Sequence, residues 1–366
     1  MTAPAEAPTG LRQALGRVPW WITIPGIVAA ATVALYFWLP IDARPLAFQA
    51  LIDGSAVGSI YILGASGLSL TYGVKKFANF AHGDMMTVGA YMAYTAMVIL
   101  GKDMVSALLL AMLSVALLGI FLELSIFRRL EQRGAIAALI ASVGVSLIIQ
   151  NVVGLFYLGD VRNLPIQIPQ SVPVGTTGLA FNWVKDGVTI GLAIGLMVFL
   201  HFVLKHTTLG RAMRACADDL DLARASGINT HNVILWTWGI SGALAGLAGV
   251  LLALWVNVYP PMGFFILLFI FSAVILGGIG SPYGAMVGGL LIGIVQKLSS
   301  VFFGQLSAMN LIENGASYDA AGAFVVLVLV LLIKPEGIMG KRRPTEGRRR
   351  RVWARRAPKE GVSVGD

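Results

Sequence analysis

Apolar runs of about twenty residues recur along this chain between short polar stretches, and no other feature constrains its fold as strongly. A helix needs roughly 20 predominantly apolar residues to cross the hydrocarbon core of a bilayer. Ten stretches meet that need: 18–41, 46–74, 82–100, 104–127, 134–157, 187–205, 232–257, 262–280, 284–303 and 318–334. The 46–74 stretch has length to spare for tilt or an unwound piece, and glycines in 82–100 and 284–303 leave broken or re-entrant spans open. With 57% of the 366 residues apolar and 43 more glycine, no soluble domain has enough interior to hide this surface. Charged residues are only 12%, which excludes disorder, whose mark is high charge with low hydrophobicity. The expected fold class is an all-α membrane protein, a polytopic helical bundle of about ten spans.

Charge placement orients the spans. With the N-terminus in the cytoplasm, 22 of the 27 lysines and arginines fall inside. Four fall outside (Arg44, Lys102, Arg162 and Lys185), and Lys297 stays within a span. This bias follows the positive-inside rule and predicts an even number of spans with both termini cytoplasmic. Residues 1–17 then form a cytoplasmic N-terminus, 18–340 the transmembrane domain, and 341–366 a basic, disordered tail. Arg348 to Arg351 lie in that tail and read as a topology anchor in preference to a nucleic-acid site. Trp20, Trp21 and Trp38 flank the first apolar run as interfacial belts, and the run exceeds the usual apolar core of a signal peptide, so it reads as a span.

Small residues are spaced for close helix packing at Gly54/Gly58, Gly191/Gly195, Gly242/Gly246, Gly284/Gly288 and Gly289/Gly293. Ionisable groups within spans are few. Asp53, Glu123 and Asp319 lie near span ends, where capping or snorkelling accommodates them, whereas Lys297 lies deeper and faces either a cavity or a partner. Enzyme signatures are missing. The sequence has no GxxxxGK[ST] phosphate loop and no HExxH, and His82, His201, His206 and His231 do not cluster at metal-ligand spacing. The lone Cys216 excludes a disulfide framework and a CxxC pair. No cofactor is expected in this chain.

Two segments depart from the apolar background. Asn79, His82, Gly83 and Asp84, in the stretch Asn79-Phe80-Ala81-His82-Gly83-Asp84, place three polar side chains together at the expected cytoplasmic border. Either they cap the next helix, or they brace a moving joint. The second segment, 207–229, reads as a short cytoplasmic helix. Leu209, Met213, Cys216 or Ala217, and Leu220 form its apolar stripe. Arg211 and Arg214 flank Asp218 at helical spacing, Asp221 pairs with Arg224, and Gly227 is the natural stop. A polar face of mixed sign suits docking into a protein groove better than binding anionic lipid.

These segments resemble the integral membrane permease subunits of bacterial branched-chain amino acid ABC importers, in their LivH-like branch. The resemblance is carried by Asn79 to Asp84, by Gly210-Arg211-Ala212 through Gly227-Ile228-Asn229, by Leu276-Gly277-Gly278-Ile279-Gly280-Ser281 with Gly284-Ala285, and by Lys334-Pro335-Glu336-Gly337-Ile338-Met339-Gly340. It covers roughly residues 46–340. It implies the vitamin B12 importer type of fold and a translocation path for branched-chain or other neutral amino acids. It also implies partners: a second, LivM-like permease, two ATP-binding subunits that carry ATP and Mg, and an extracytoplasmic substrate-binding protein contacting the 159–185 loop. Segment 207–229 would couple the ATPases to the spans in a bacterial inner membrane. The same machine importing urea or a short amide, and a stand-alone ion-coupled secondary transporter, remain as alternatives.

Overall fold

The structure, a computed structural model, describes residues 20–166, 171–173, 179–334 and 336–340. The cytoplasmic N-terminus expected over 1–17 and the basic tail 341–366 lie outside the described residues. In chain order the helices are α1 (Trp20–Trp38), α2 (Pro45–Lys75), α3 (Ala81–Tyr94), α4 (Met104–Leu122), α5 (Ala135–Tyr157) and α6 (Val188–His206). Then come α7 (Thr208–Asp218), α8 (Leu220–Ala225), α9 (Thr230–Ala253), α10 (Met262–Gly277), α11 (Pro282–Ala308) and α12 (Asp319–Ile333). Each of the ten apolar stretches is helical over most of its length.

Six helical segments are long and apolar enough to cross a membrane: Pro45–Lys75, Met104–Arg133, Ala135–Tyr157, Trp183–His206, Thr230–Ala253 and Pro282–Ala308. Val28–Trp38, Met262–Gly277 and Asp319–Leu332 are shorter apolar helices. The 46–74 stretch is one unbroken helix, and 284–303 lies inside the continuous α11. The 82–100 stretch is α3 continued by a π-helical turn, Thr95–Ile99.

The helices begin and end where local chemistry satisfies their free backbone groups. Asp103 caps α4, accepting from Val105 and Ser106, and Asn229 caps α9 through the Asn232 N–H. Pro45 and Pro282 occupy first-turn positions, where a missing N–H costs nothing. The Gly-rich stretch Gly277 to Gly280 is a tight turn between α10 and α11, with Gly278 at φ 109° and Gly280 at φ 81°.

Helix α9 is the buried axis of the bundle and packs against α2, α3 and α4. Backbone contact replaces side-chain interdigitation along these seams. A Cβ built on Gly242 would stand 2.4 Å from the Val115 oxygen of α4, and one on Gly249 would overlap the Met86 oxygen of α3. Along the α2–α11 seam, a Cβ on Gly54 would stand 2.7 Å from the Ile294 Cα. Such approach lets helices gain dispersion contacts that lipid does not supply. The expected glycine pair Gly191/Gly195 behaves differently, since nothing lies within 4 Å of either position.

Candidate functional site

The segments singled out in the sequence gather at two places. The first is the end of the bundle that carries α7 and α8. Thr207 caps α7 through the Gly210 N–H at 3.0 Å. Asp219 leaves helical geometry (φ −156°, ψ 114°) and caps α8, accepting from the Asp221 and Leu222 N–H groups at 3.0 Å each. The single helix read over 207–229 is therefore two helices. Asp219 causes the break because its carboxylate offers the backbone a partner that a helix interior does not. Met213, Cys216 and Ala223 turn inward, while Arg211, Arg214, Asp218, Asp221 and Arg224 are exposed. The expected stop at Gly227 holds, with φ 82°. Burial pushes the Cys216 thiol above its usual pKa.

This pair of helices is tied to the bundle by charge and by backbone. Lys75, at the end of α2, donates to Glu123 at 2.8 Å and lies 3.5 Å from Glu131. Glu131 in turn faces Arg224 at 3.9 Å, and Arg224 faces Asp221 at 3.8 Å. Lys76 reaches the Ala217 carbonyl of α7 at 2.5 Å. Nearby, two further segments join. The Ile338 and Met339 N–H groups donate to the Leu276 and Gly277 carbonyls at 2.8 and 2.9 Å, satisfying the end of α10. A Cβ on Gly337 would stand 2.7 Å from the Gly278 Cα, so this junction accepts only glycine without moving.

The second place is the Asn79–Asp84 motif, and here the structure corrects its expected position. Asn79, His82 and Asp84 are 1%, 0% and 0% exposed, so the motif is sealed inside the bundle and not at its border. Lys76 takes a left-handed conformation, and the chain runs back alongside α2 before α3 begins. His82 Nε2 bonds the Gly64 carbonyl at 2.9 Å, eleven residues before the end of α2, or about 16 Å along its axis. The Asn79 carboxamide accepts from the Ala81 N–H at 3.1 Å, a local turn bond. Asp84 caps nothing; it accepts from the Ser146 hydroxyl of α5. Ser142 accepts from the Phe80 N–H at 3.0 Å, and Thr87 accepts from the Gly263 N–H at 3.0 Å. A Cβ on Gly83 would stand 2.3 Å from the Gly263 oxygen. Asn79 Nδ2, His82 Nδ1 and Asp84 Oδ1 have no partner among the described residues. The motif thus joins α2, α3, α5 and α10 at one level.

The family description "Branched-chain amino acid transport system / permease component" matches residues 50–333. The chain belongs to this permease family. Among its relatives, the high-affinity branched-chain amino acid transport system permease protein BraD of Pseudomonas aeruginosa is 34% identical over 306 residues, 80% of this chain and 95% of that protein. The permease protein LivH of Escherichia coli K12, from a system with the same description, is 33% identical over 311 residues, again 80% and 95%. Among solved structures, PsaBC from Streptococcus pneumoniae in complex with Fab aligns with a TM-score of 0.42 and 16% identity, covering 80% of this chain and 92% of that one.

The ionisable groups that the sequence places near or within spans are Asp53, Glu123, Lys297 and Asp319. Asp53 accepts from Gln49 at 2.9 Å, and Asp319 accepts from Gln296 at 3.0 Å. Glu123 pairs with Lys75. Lys297, left open by the sequence, lies 5.6 Å from the Trp255 ring centroid. No group of three or more His, Cys, Asp or Glu suited to a metal occurs among the described residues. Sequence reasoning missed Ser146, Gly64 and Trp255, whose types are unremarkable in apolar helices and whose roles come only from what they meet.

Proposed function

We propose that this permease is one membrane subunit of an ATP-driven importer of branched-chain amino acids. The observation that carries the reading is the pair α7–α8, exposed and mixed in sign, at the end where the family segments converge. Arg211, Arg214, Asp218, Asp221 and Arg224 present charge to a partner, and Gly227 sets where the pair turns into α9. A chain without a phosphate loop needs that partner, and two ATP-binding subunits would supply ATP and Mg. A second, LivM-like permease completes the path, and a binding protein docks at the opposite face, where β1 (Val172–Pro173) and β2 (Ala180–Phe181) pair within the 159–185 loop. In this reading the bundle has ten spans of the vitamin B12 importer type, lies in a bacterial inner membrane, and keeps both termini in the cytoplasm.

The mechanism is alternating access. ATP binding and hydrolysis on the partners switch the cavity's exposure, and α7–α8 pass that movement to α2 and α4 through Lys75, Lys76, Glu131 and Arg224. Asn79, His82, Gly83 and Asp84 hold α3 against α2, α5 and α10, so movement of one helix is felt by the others. The test is purification of the tagged chain from its native membrane in mild detergent. Recovery of an ATPase with a Walker motif and of a second permease is expected. A chain recovered alone that still drives ion-dependent uptake in vesicles would overturn the reading.

A further inference from the structure

At the end of the bundle opposite α7–α8, two lysines share one indole. Lys185 Nζ lies 4.1 Å from the Trp255 ring centroid, and Lys297 Nζ lies 5.6 Å from it. A single cation over a tryptophan face is favourable, but a second ammonium beside the first is repelled by it. Neither ammonium makes an ion pair or a hydrogen bond among the described residues, and Lys185 has only the longer-range attraction of its neighbour Asp186. The Trp255 Nε1 donor is buried and also lacks a partner there. The nearby acids spend their hydrogen bonds on other groups. Asp53 takes a bond from Gln49, and Asp186 takes the Asn182 N–H at 2.8 Å.

Both lysines are fixed at their backbones. Lys185 donates its own N–H to the Asn182 side chain at 2.9 Å, within the π-helical turn that opens α6. Lys297 follows Gln296, which accepts from Tyr61 at 2.5 Å and donates to Asp319 at 3.0 Å. Two ammoniums thus gather at one ring without a hydrogen-bond acceptor, beside an indole N–H that also lacks one, and the chemistry they lack is a small oxyanion. Positive charge is sparse at this end of the chain, which makes the pairing of two lysines there more pointed.

We propose that Lys185, Lys297 and Trp255 form a binding site for the α-carboxylate of the amino acid as it enters the bundle from the external binding protein. The site rests on the amino-acid importer reading above. In the reconstituted complex of this chain with its co-purified partners, the Lys185→Gln/Lys297→Gln double variant is expected to lower labelled leucine uptake at least tenfold. The yield and subunit composition of the purified complex should match wild type, which shows that the variant assembles. The Lys185→Arg/Lys297→Arg variant should keep at least a third of wild-type uptake.

A neutral variant that transports at the wild-type rate overturns the site, as does an arginine variant as impaired as the glutamine one, since charge is then irrelevant. The same assay in vesicles of phosphatidylcholine alone separates two sources of oxyanion. Loss that persists there supports a substrate carboxylate, and loss seen only with added phosphatidylglycerol assigns the lysines to lipid headgroups and overturns the proposal. A wild-type complex that accumulates urea but not leucine overturns the amino-acid reading and the carboxylate site together. Leucine uptake by wild type beside an unimpaired neutral variant overturns the site alone.

Discussion

Lys75 donates to Glu123 at 2.8 Å with both side chains nearly sealed, at 6% and 2% exposure. This pair joins the end of α2 to the end of α4, at the level where Arg224 and Glu131 reach in from the surface. Removing one member of a buried pair leaves the other charge uncompensated, at a cost of about 3–5 kcal/mol. Lys75→Met is therefore expected to lower the thermal stability of the purified chain sharply. The Lys75→Met/Glu123→Leu double variant should recover most of the loss, because replacing both partners removes the stranded charge. Equal melting temperatures for the single and double variants would show that the pair is not acting as a pair.

The glycine pairs provide a second test, since the same GxxxG spacing has different consequences in different places. A Cβ on Gly293 would stand 2.3 Å from the Gly58 Cα, so Gly293→Ala must push α2 and α11 apart. Overpacking of this kind costs about 1–3 kcal/mol. Gly191→Ala meets nothing within 4 Å and should stay within about 0.5 kcal/mol of wild type. Parallel thermal melts in one detergent check both, and a destabilised Gly191→Ala would sink the distinction.

That contrast also marks how far the sequence could be read. Apolar runs located ten helical segments because length and hydropathy are local properties, and caps such as Asp103 and Asn229 follow from neighbouring residues. The choice between Gly191/Gly195 and Gly289/Gly293 depends on which helix lies opposite, and spacing carries no record of that. The depth of His82 escaped for the same reason. A polar motif after a basic pair reads as a border, and only its bond to Gly64, eighteen residues earlier, shows that the chain has turned back into the bundle. The break at Asp219 was within reach, since an aspartate two residues before Asp221 is a cap signal, but the apolar stripe continued across it.

The interior motif predicts an asymmetric response along α5. Ser146 is the donor to Asp84, and Ser146→Ala leaves a buried carboxylate short of a partner, at a cost of roughly 1–3 kcal/mol. Leu155→Ala on the same helix removes a side chain that is 76% exposed and should change little. Comparable losses from the two would mean that α5 responds as a whole and that the Asp84 contact is incidental.

Cys216 reports on the docking of α7 without any added probe. The residue is 1% exposed, and burial raises the pKa of its thiol. The reactive thiolate is therefore scarcer than in a free cysteine at neutral pH, and reagents cannot reach it. Maleimide is expected to label the detergent-purified chain slowly at pH 7 and to label it fully once sodium dodecyl sulfate unfolds it. Fast labelling of the folded chain would show that α7 is not seated as described.

The charged face of α7 carries the sharpest functional prediction. Arg214 and Asp218 are exposed one turn apart, so reversing either alters the surface offered to a partner without touching the buried Met213 and Cys216. Arg214→Glu and Asp218→Arg are each expected to cut uptake roughly tenfold or more, the scale of about 1.4 kcal/mol or above in coupling. Membrane insertion and the yield of the chain should not change. An effect on docking also predicts faster loss of the ATP-binding subunits during detergent purification, because charge complementarity at an interface controls partner choice. Wild-type uptake in both variants, with the ATPase still bound, would show that the coupling contact lies elsewhere on the 207–229 segment or outside it.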